Sequence, residues 1–123
     1  MEAVNFSNLV GKTILSIKGL EVGGRDVEFK TTSGEKYLMH HISECCENVE
    51  IADVCGDIAD LTGSPITQAD ESSSNDQFEG KPEYAECFTW TFYRIATAKG
   101  LVVIRWLGES NGYYSESVSF DKM

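Results

Sequence analysis

Residues 88–120 read FTWTFYRIATAKGLVVIRWLGESNGYYSESVSF, and they form the most aromatic and most β-prone part of the chain. Phe88, Trp90 and Phe92 fall on one parity. Side chains alternate between the two faces of a sheet, so this spacing predicts a strand with three rings on its core face. Residues 98–100, Ala-Lys-Gly, predict the turn that follows.

The rest of this stretch predicts two more strands. Residues 101–107 are apolar on both parities except Arg105, which is typical of a central strand covered on both faces. The pair Asn111-Gly112 favours a tight hairpin turn, because both residues tolerate positive φ. Residues 113–120 then return as a half-exposed strand that ends at Phe120.

Alternating apolar residues predict further strands in the first half of the chain. These cover residues 12–18, 26–31, 36–42 and 49–54, and the second and third form a hairpin around residues 32–35. Helical turns are predicted near residues 44–47 and 57–61, and a helical turn or an extended lead-in near 1–10. An extended piece is expected over residues 66–69, followed by a polar, mobile loop at about 70–83.

The predicted architecture is therefore mostly β, with α+β as the alternative. We expect one domain over residues 1–123, built on an antiparallel sheet of six to eight strands with one or two short helices. At 123 residues a single core suffices without metal or disulfide support.

The charge of the chain limits its partners. The formal net charge is −10, and duplex nucleic acid needs a basic footprint that the sequence lacks. There is no signal-peptide pattern and no apolar run of roughly 20 residues, so we expect a cytoplasmic protein with no membrane span. The four cysteines then read as reduced thiols.

Metal and catalytic patterns are weak. His40, His41, Cys45, Cys46 and Cys55 cluster in sequence, but their spacing fits a tetrahedral zinc site poorly. The favoured interpretation is one inward and one outward histidine with small buried thiols. The acidic residues between 44 and 60 read as a solvated edge, since no calcium-loop pattern is present. No metal, cofactor or catalytic residue is predicted.

The basic residues are few, so their positions matter. Arg105 lies inside an apolar strand, and a buried arginine must be paired or must line a pocket. It either pairs with Glu109 or Glu116, or binds a phosphate with both arms of its guanidinium. Arg25 follows two glycines in a turn and can approach from a loop.

Three further residues complete the candidate site. Phe78 is the lone aromatic of the sequence 70–83, and it either tucks against the core edge or stacks on a base. Asn111 and Tyr113 bring an amide and a phenol to one hairpin end, where turn formation and partial burial are the alternative explanation.

Four segments of the chain resemble a family of short phage and prophage proteins catalogued as a domain of unknown function. They are HxxxCCExV at 41–49, GDxxDLxGSPI at 56–66, TWTFY at 89–93 and IRWxGESNGYYSExV at 104–118. The chain also resembles the phage anti-Thoeris sponge proteins, which sequester glycocyclic ADP-ribose signals, form oligomers and have additional sites for cyclic oligonucleotides.

The resemblance implies a homo-oligomeric binder that holds a small cyclic nucleotide signal intact. Arg105 and Arg25 would then bind phosphate, Phe78 the adenine face, and Asn111 with Tyr113 the ribose or base edges. Two other functions stay open. One is an acidic mimic that inhibits a nucleic-acid-binding host protein, which the net charge favours. The other is an enzyme that degrades such a signal with His40 or His41.

Overall fold

The computed structural model describes residues 1–43, 47–74, 87–110 and 115–123, and of Cys87 only the backbone. This part of the chain contains nine strands and two 3₁₀ turns. The strands are β1 (Glu2–Ala3), β2 (Ile14–Lys18), β3 (Asp26–Thr31), β4 (Lys36–His40), β5 (Asn48–Cys55), β6 (Gln68–Ser74), β7 (Cys87–Thr97), β8 (Gly100–Ser110) and β9 (Ser119–Lys122). The 3₁₀ turns are Phe6–Leu9 and Ile58–Leu61.

The strands form two antiparallel sheets. Sheet I has the order β1-β9-β4-β3-β2, and sheet II has the order β5-β8-β7-β6. The mostly-β prediction is confirmed, and its strands divide between two sheets that enclose one apolar cluster. The expected turn at residues 57–61 is also confirmed, since the Asp57 carboxylate caps it by accepting from Ala59 N at 3.0 Å.

Strand β8 has the central position predicted for it. It pairs with β7 from Gly100↔Thr97 to Ser110↔Cys87 on one side, and with β5 on the other. Its inward residues Val102, Ile104 and Trp106 are fully buried. The strand predictions near β2, β3, β4 and β5 are confirmed as well.

The rings of β7 face the other way from the prediction. Among the described side chains of β7, Tyr93 and Ile95 belong to the apolar cluster between the sheets. Trp90 is also buried, but it is not part of that cluster. Strand β7 is apolar on both parities, so alternation alone did not distinguish its two faces. The three rings therefore mark the outer face of sheet II.

Two predictions on the connections are wrong. Residues 70–74, expected in a loop, belong to β6, which pairs with β7 from Gln68↔Ala96 to Ser74↔Trp90. The last strand does not return along β8: β9 begins at Ser119 and pairs with β4 and β1 in sheet I. The sequences 44–46, 75–83 and 111–114, with their predicted turns and loop, lie outside the described residues.

Phe6 joins the two sheets through the core. Its ring packs edge to face on Tyr93 of sheet II at 4.8 Å and on Phe120 of sheet I at 5.1 Å between centroids. Phe120 in turn stacks on Tyr37 at 5.4 Å. Aromatic pairs at such distances stabilise the fold by more than the burial of their apolar area alone. The first 3₁₀ turn, through Phe6, therefore helps to hold the two sheets together.

Candidate functional site

The outer face of sheet II combines apolar and cationic side chains. Residues on β8 that alternate with its core positions are Val103, Arg105 and Leu107, all half-buried. Opposite them on β7 lie Trp90, paired with Leu107, and Phe92, paired with Arg105. We call these five residues the Arg105–Trp90 patch.

Arg105 lies over the indole of Trp90. Its guanidinium carbon is 4.8 Å from the ring centroid, which is a cation–π contact. The nearest described carboxylate is Asp53, with Oδ2 at 4.0 Å from a guanidinium nitrogen and its side chain 48% exposed. An exposed ion pair at that separation stabilises the fold little, so the guanidinium keeps most of its capacity to bind an anion.

Two N–H groups in this patch are buried without an acceptor. Neither Arg105 Nε nor Trp90 Nε1 has a hydrogen-bond partner among the described residues. Trp90 is only 2% exposed. A buried donor left unpaired costs roughly 1–3 kcal/mol, so the patch would gain from an acceptor supplied by a ligand.

All three arginines of the chain reach this face. Arg94 follows Phe92 by two residues on β7, and its guanidinium lies 3.4 Å from Asp70 and 3.3 Å from the Ser72 hydroxyl. Arg25 donates to Asn48 Oδ1 at 2.6 Å and lies 3.7 Å from Glu50. Both of those partners lie on β5 and alternate with its core residues. The arginines are thus segregated on one face of an acidic protein.

The predicted partners of Arg105 were wrong. Glu116 is engaged elsewhere, since it accepts hydrogen bonds from Thr89 at 2.8 Å and from Ser110. Among the described residues the closest carboxylate is Asp53, which the register of β5 against β8 places directly opposite Arg105. Sequence alone did not reveal this pair, because a bulge between Ile51 and Asp53 changes the register.

The prediction placed Arg105 and Arg25 in one site, and the structure brings both to the same face of sheet II. Phe78, Asn111 and Tyr113 lie outside the described residues. Trp90 and Arg94 were missed as site residues. Their spacing could have revealed them, because residues 90, 92 and 94 alternate along one strand and therefore share one face of the sheet.

The histidines lie elsewhere. His40 Nε2 lies 2.6 Å from Asp121 Oδ2, in sheet I, and both side chains are 11% exposed. His41 Nδ1 donates to Ser117 O at 2.7 Å, and its Nε2 is 3.4 Å from Glu47 Oε2 without a well-aligned hydrogen bond. Its side chain is 5% exposed, so both histidine side chains are largely removed from solvent.

Glu35, near one end of sheet I, is held by two lysines. Its carboxylate lies 2.8 Å from Lys12 Nζ and 2.9 Å from Lys122 Nζ. These contacts lower the pKa of Glu35 to about 2, and Lys12 contributes more to this shift than Lys122 does. Within the described residues, no group of three or more histidine, cysteine or acidic side chains is placed to hold a metal ion.

The fold and the site together define a small β-sandwich with an arginine-bearing aromatic face. Residues 7–120 match the family described as Domain of unknown function (DUF7448), and the chain belongs to that family. No curated protein and no solved structure matches the chain.

Among the described residues, no helix has the length and apolar character needed to cross a membrane.

Proposed function

We propose that this protein binds a small phosphate-bearing nucleotide on the outer face of sheet II and holds it without cleaving it. The observation that carries the proposal is the pair of buried, unpaired donors, Arg105 Nε and Trp90 Nε1, in one aromatic patch. A phosphate offers several acceptor oxygens and a negative charge, which is what these donors lack.

The patch also suits the ring system of a nucleotide. Arginine stacks on planar groups as well as binding phosphate. One side of the Arg105 guanidinium covers Trp90, and the side chain is 36% exposed, so it presents a second surface to solvent. Phe92 lies directly across from Arg105 on β7. A purine on this surface would contact a cation and an aromatic ring together.

The acidity of the chain does not prevent anion binding at this face. The net charge is −10, but the three arginines share this face of sheet II, and their ion pairs are 3.4–4.0 Å long. Such partly exposed pairs exchange partners at low cost. Locally concentrated positive charge can then attract an anion that the surface as a whole repels.

The resemblance described above gives the proposal its biological form. The protein would be a phage anti-defence protein that sequesters a cyclic nucleotide immune signal of the glycocyclic ADP-ribose class, with cyclic oligonucleotides as further ligands, in the host bacterial cytoplasm. A homo-oligomer would be its working form. Phe78, Asn111 and Tyr113 keep their predicted roles toward the base and ribose.

The test is mass spectrometry of small molecules released by heating the protein after incubation with cyclic ADP-ribose isomers and cyclic di- and trinucleotides. We expect one compound to be recovered unchanged. Isothermal titration then compares Arg105→Ala with Lys36→Ala. Lys36 is a matched control on sheet I, because it also forms a long ion pair, 3.8 Å to Glu28, and is 48% exposed.

Loss of the charge-assisted hydrogen bonds of Arg105 should weaken binding about 10–100-fold. The control variant should bind as the unchanged protein does. Recovery of a cleaved product would replace the proposal with an enzyme. Recovery of no compound across the panel would overturn nucleotide binding, and the acidic mimic of nucleic acid would become the function to test.

A further inference from the structure

A groove lies on the inner side of sheet II, on the face opposite the Arg105–Trp90 patch, where β6 and β7 extend towards residues 115–118. It is a cavity of about 210 Å³. Its lining consists of carboxyl, hydroxyl and valine side chains: Glu71, Ser73, Thr89, Thr91 and residues 115–118. A neighbouring cavity of about 440 Å³ shares Glu71 and Val118 with it. The two cavities are therefore adjacent, and we call them together the Glu71–Glu116 groove.

The wall of this groove is fixed in place. Glu116 accepts hydrogen bonds from the Thr89 and Ser110 hydroxyls, and His41 Nδ1 donates to the carbonyl of Ser117 at 2.7 Å. Residues 115–118 also lie directly on Gly108, where an added Cβ would be 2.5 Å from Glu116 O. Close backbone approach of this kind is what glycine permits, so the groove is formed before any ligand arrives.

The groove has more hydrogen-bond acceptors than donors. The carboxylates of Glu71 and Glu116 only accept when ionised, and none of the described residues that line either cavity is a lysine, arginine or histidine. Beside Glu71, burial together with this carboxylate raises the pKa of the Tyr93 phenol, which therefore stays protonated. A ligand of this groove must bring donors and positive charge.

Thr91 adds a further polar side chain to the groove. Thr91 is 4% exposed and lines the smaller cavity. Its side chain forms no hydrogen bond with the part of the chain that the structure describes. A hydroxyl both donates and accepts, so Thr91 can offer either role to a ligand in the groove.

We propose that the Glu71–Glu116 groove binds a linear organic cation of the polyamine class. An ammonium group supplies three donors and no acceptor, which complements two carboxylates and the serine and threonine hydroxyls. A metal ion fits less well, since the described residues contain no group of three suitable ligands. The inference is independent of the proposed function, because the ligand has the opposite charge and lies on the other face of sheet II.

Isothermal titration and amide NMR with spermidine test the proposal on the whole chain, at low salt and at about 0.15 M salt. We expect saturable binding, with shifts at the amides of Ser73, Thr89 and Thr91. Glu71→Gln should weaken binding at least about fivefold, whereas Glu21→Gln should not. Glu21 is exposed in a loop, so its substitution removes the same charge from outside the groove.

Two results would overturn the proposal. One is equal weakening by Glu71→Gln and Glu21→Gln, which would indicate general attraction to an acidic surface. The other is an absence of saturation or of shifts at these amides. Because Glu116→Gln disturbs two hydroxyl hydrogen bonds and can affect folding, Thr91→Val serves as the second variant and should also weaken binding.

Discussion

Phe120 lies where the aromatic side chains of the core meet, and Phe120→Leu would test whether ring contacts hold the sheets together. Its ring contacts Phe6 at 5.1 Å, Phe29 at 6.0 Å and Tyr37 at 5.4 Å between centroids. The side chain is 5% exposed. Leucine keeps most of the apolar burial and removes the three ring pairs.

The size of the effect follows from these pairs. Each aromatic pair contributes about 0.5–1.5 kcal/mol beyond burial, and since leucine regains part of the contact we expect a loss of about 2 kcal/mol. The unfolding entropy is about 2.1 cal/mol/K per residue. For a chain of 123 residues, each kcal/mol then lowers Tm by about 4 °C, so the variant should melt about 8 °C lower.

The assay is thermal and urea unfolding of a double-mutant cycle with Phe6→Leu. We expect a coupling energy of about 1 kcal/mol between Phe6 and Phe120. Ile104→Val, also fully buried and without a ring, is the control and should cost about 1 kcal/mol. A coupling near zero, with Phe120→Leu no more costly than this control, would refute the reasoning.

Two further predictions concern pH and packing. The pKa of Glu35 is lowered to about 2, so its ion pairs stabilise the fold above about pH 4.5 and this stability is lost as pH falls towards 2. Between pH 4.5 and 2, the unfolding free energy of Glu35→Gln should therefore fall less steeply than that of the unchanged protein. Urea unfolding measures both, and equal slopes for the two proteins would contradict this prediction. Gly108→Ala places a Cβ 2.5 Å from Glu116 O and should cost about 1–3 kcal/mol, measured as Tm. Gly11→Ala is the comparison variant, because its added Cβ meets no atom within 4 Å and only the positive φ disfavours alanine there. If Gly108→Ala lowers Tm no more than Gly11→Ala does, the packing argument is wrong.

Much of the strand pattern could be predicted because it is local. The β3–β4 hairpin and the turn between β7 and β8 follow from alternation and from polar turn residues. The central position of β8 follows from its apolar character on both parities. Each of these inferences needs only neighbours in sequence.

The remaining features depend on distant parts of the chain. Both faces of β7 carry large apolar side chains, so only packing against sheet I decides that Tyr93 points inwards. The partner of β9 is β4, about 80 residues earlier, as in the pair Met39↔Phe120. A sequence pattern does not encode such pairing.

The candidate site shows the same division. The sequence singled out Arg105 because an arginine within an apolar strand requires an explanation. It could not identify Trp90 as the ring beneath that arginine, since their contact depends on the register of β7 against β8. Nor could it identify Asp53, since a bulge sets the register of β5.

The loops that close the sheet margins have a consequence for solubility. Gly23 N donates to Ile51 O at 2.8 Å and Ile51 N donates to Gly24 O at 2.9 Å, so a loop engages the free margin of β5 at Ile51. The margin of β2 is joined by residues 62–66, where Gly63 N donates to Ile14 O at 3.1 Å. Unpaired strand margins invite other chains to add to a sheet and aggregate. Because loops engage part of the margins of β5 and β2, these two edge strands offer fewer free backbone groups to other chains.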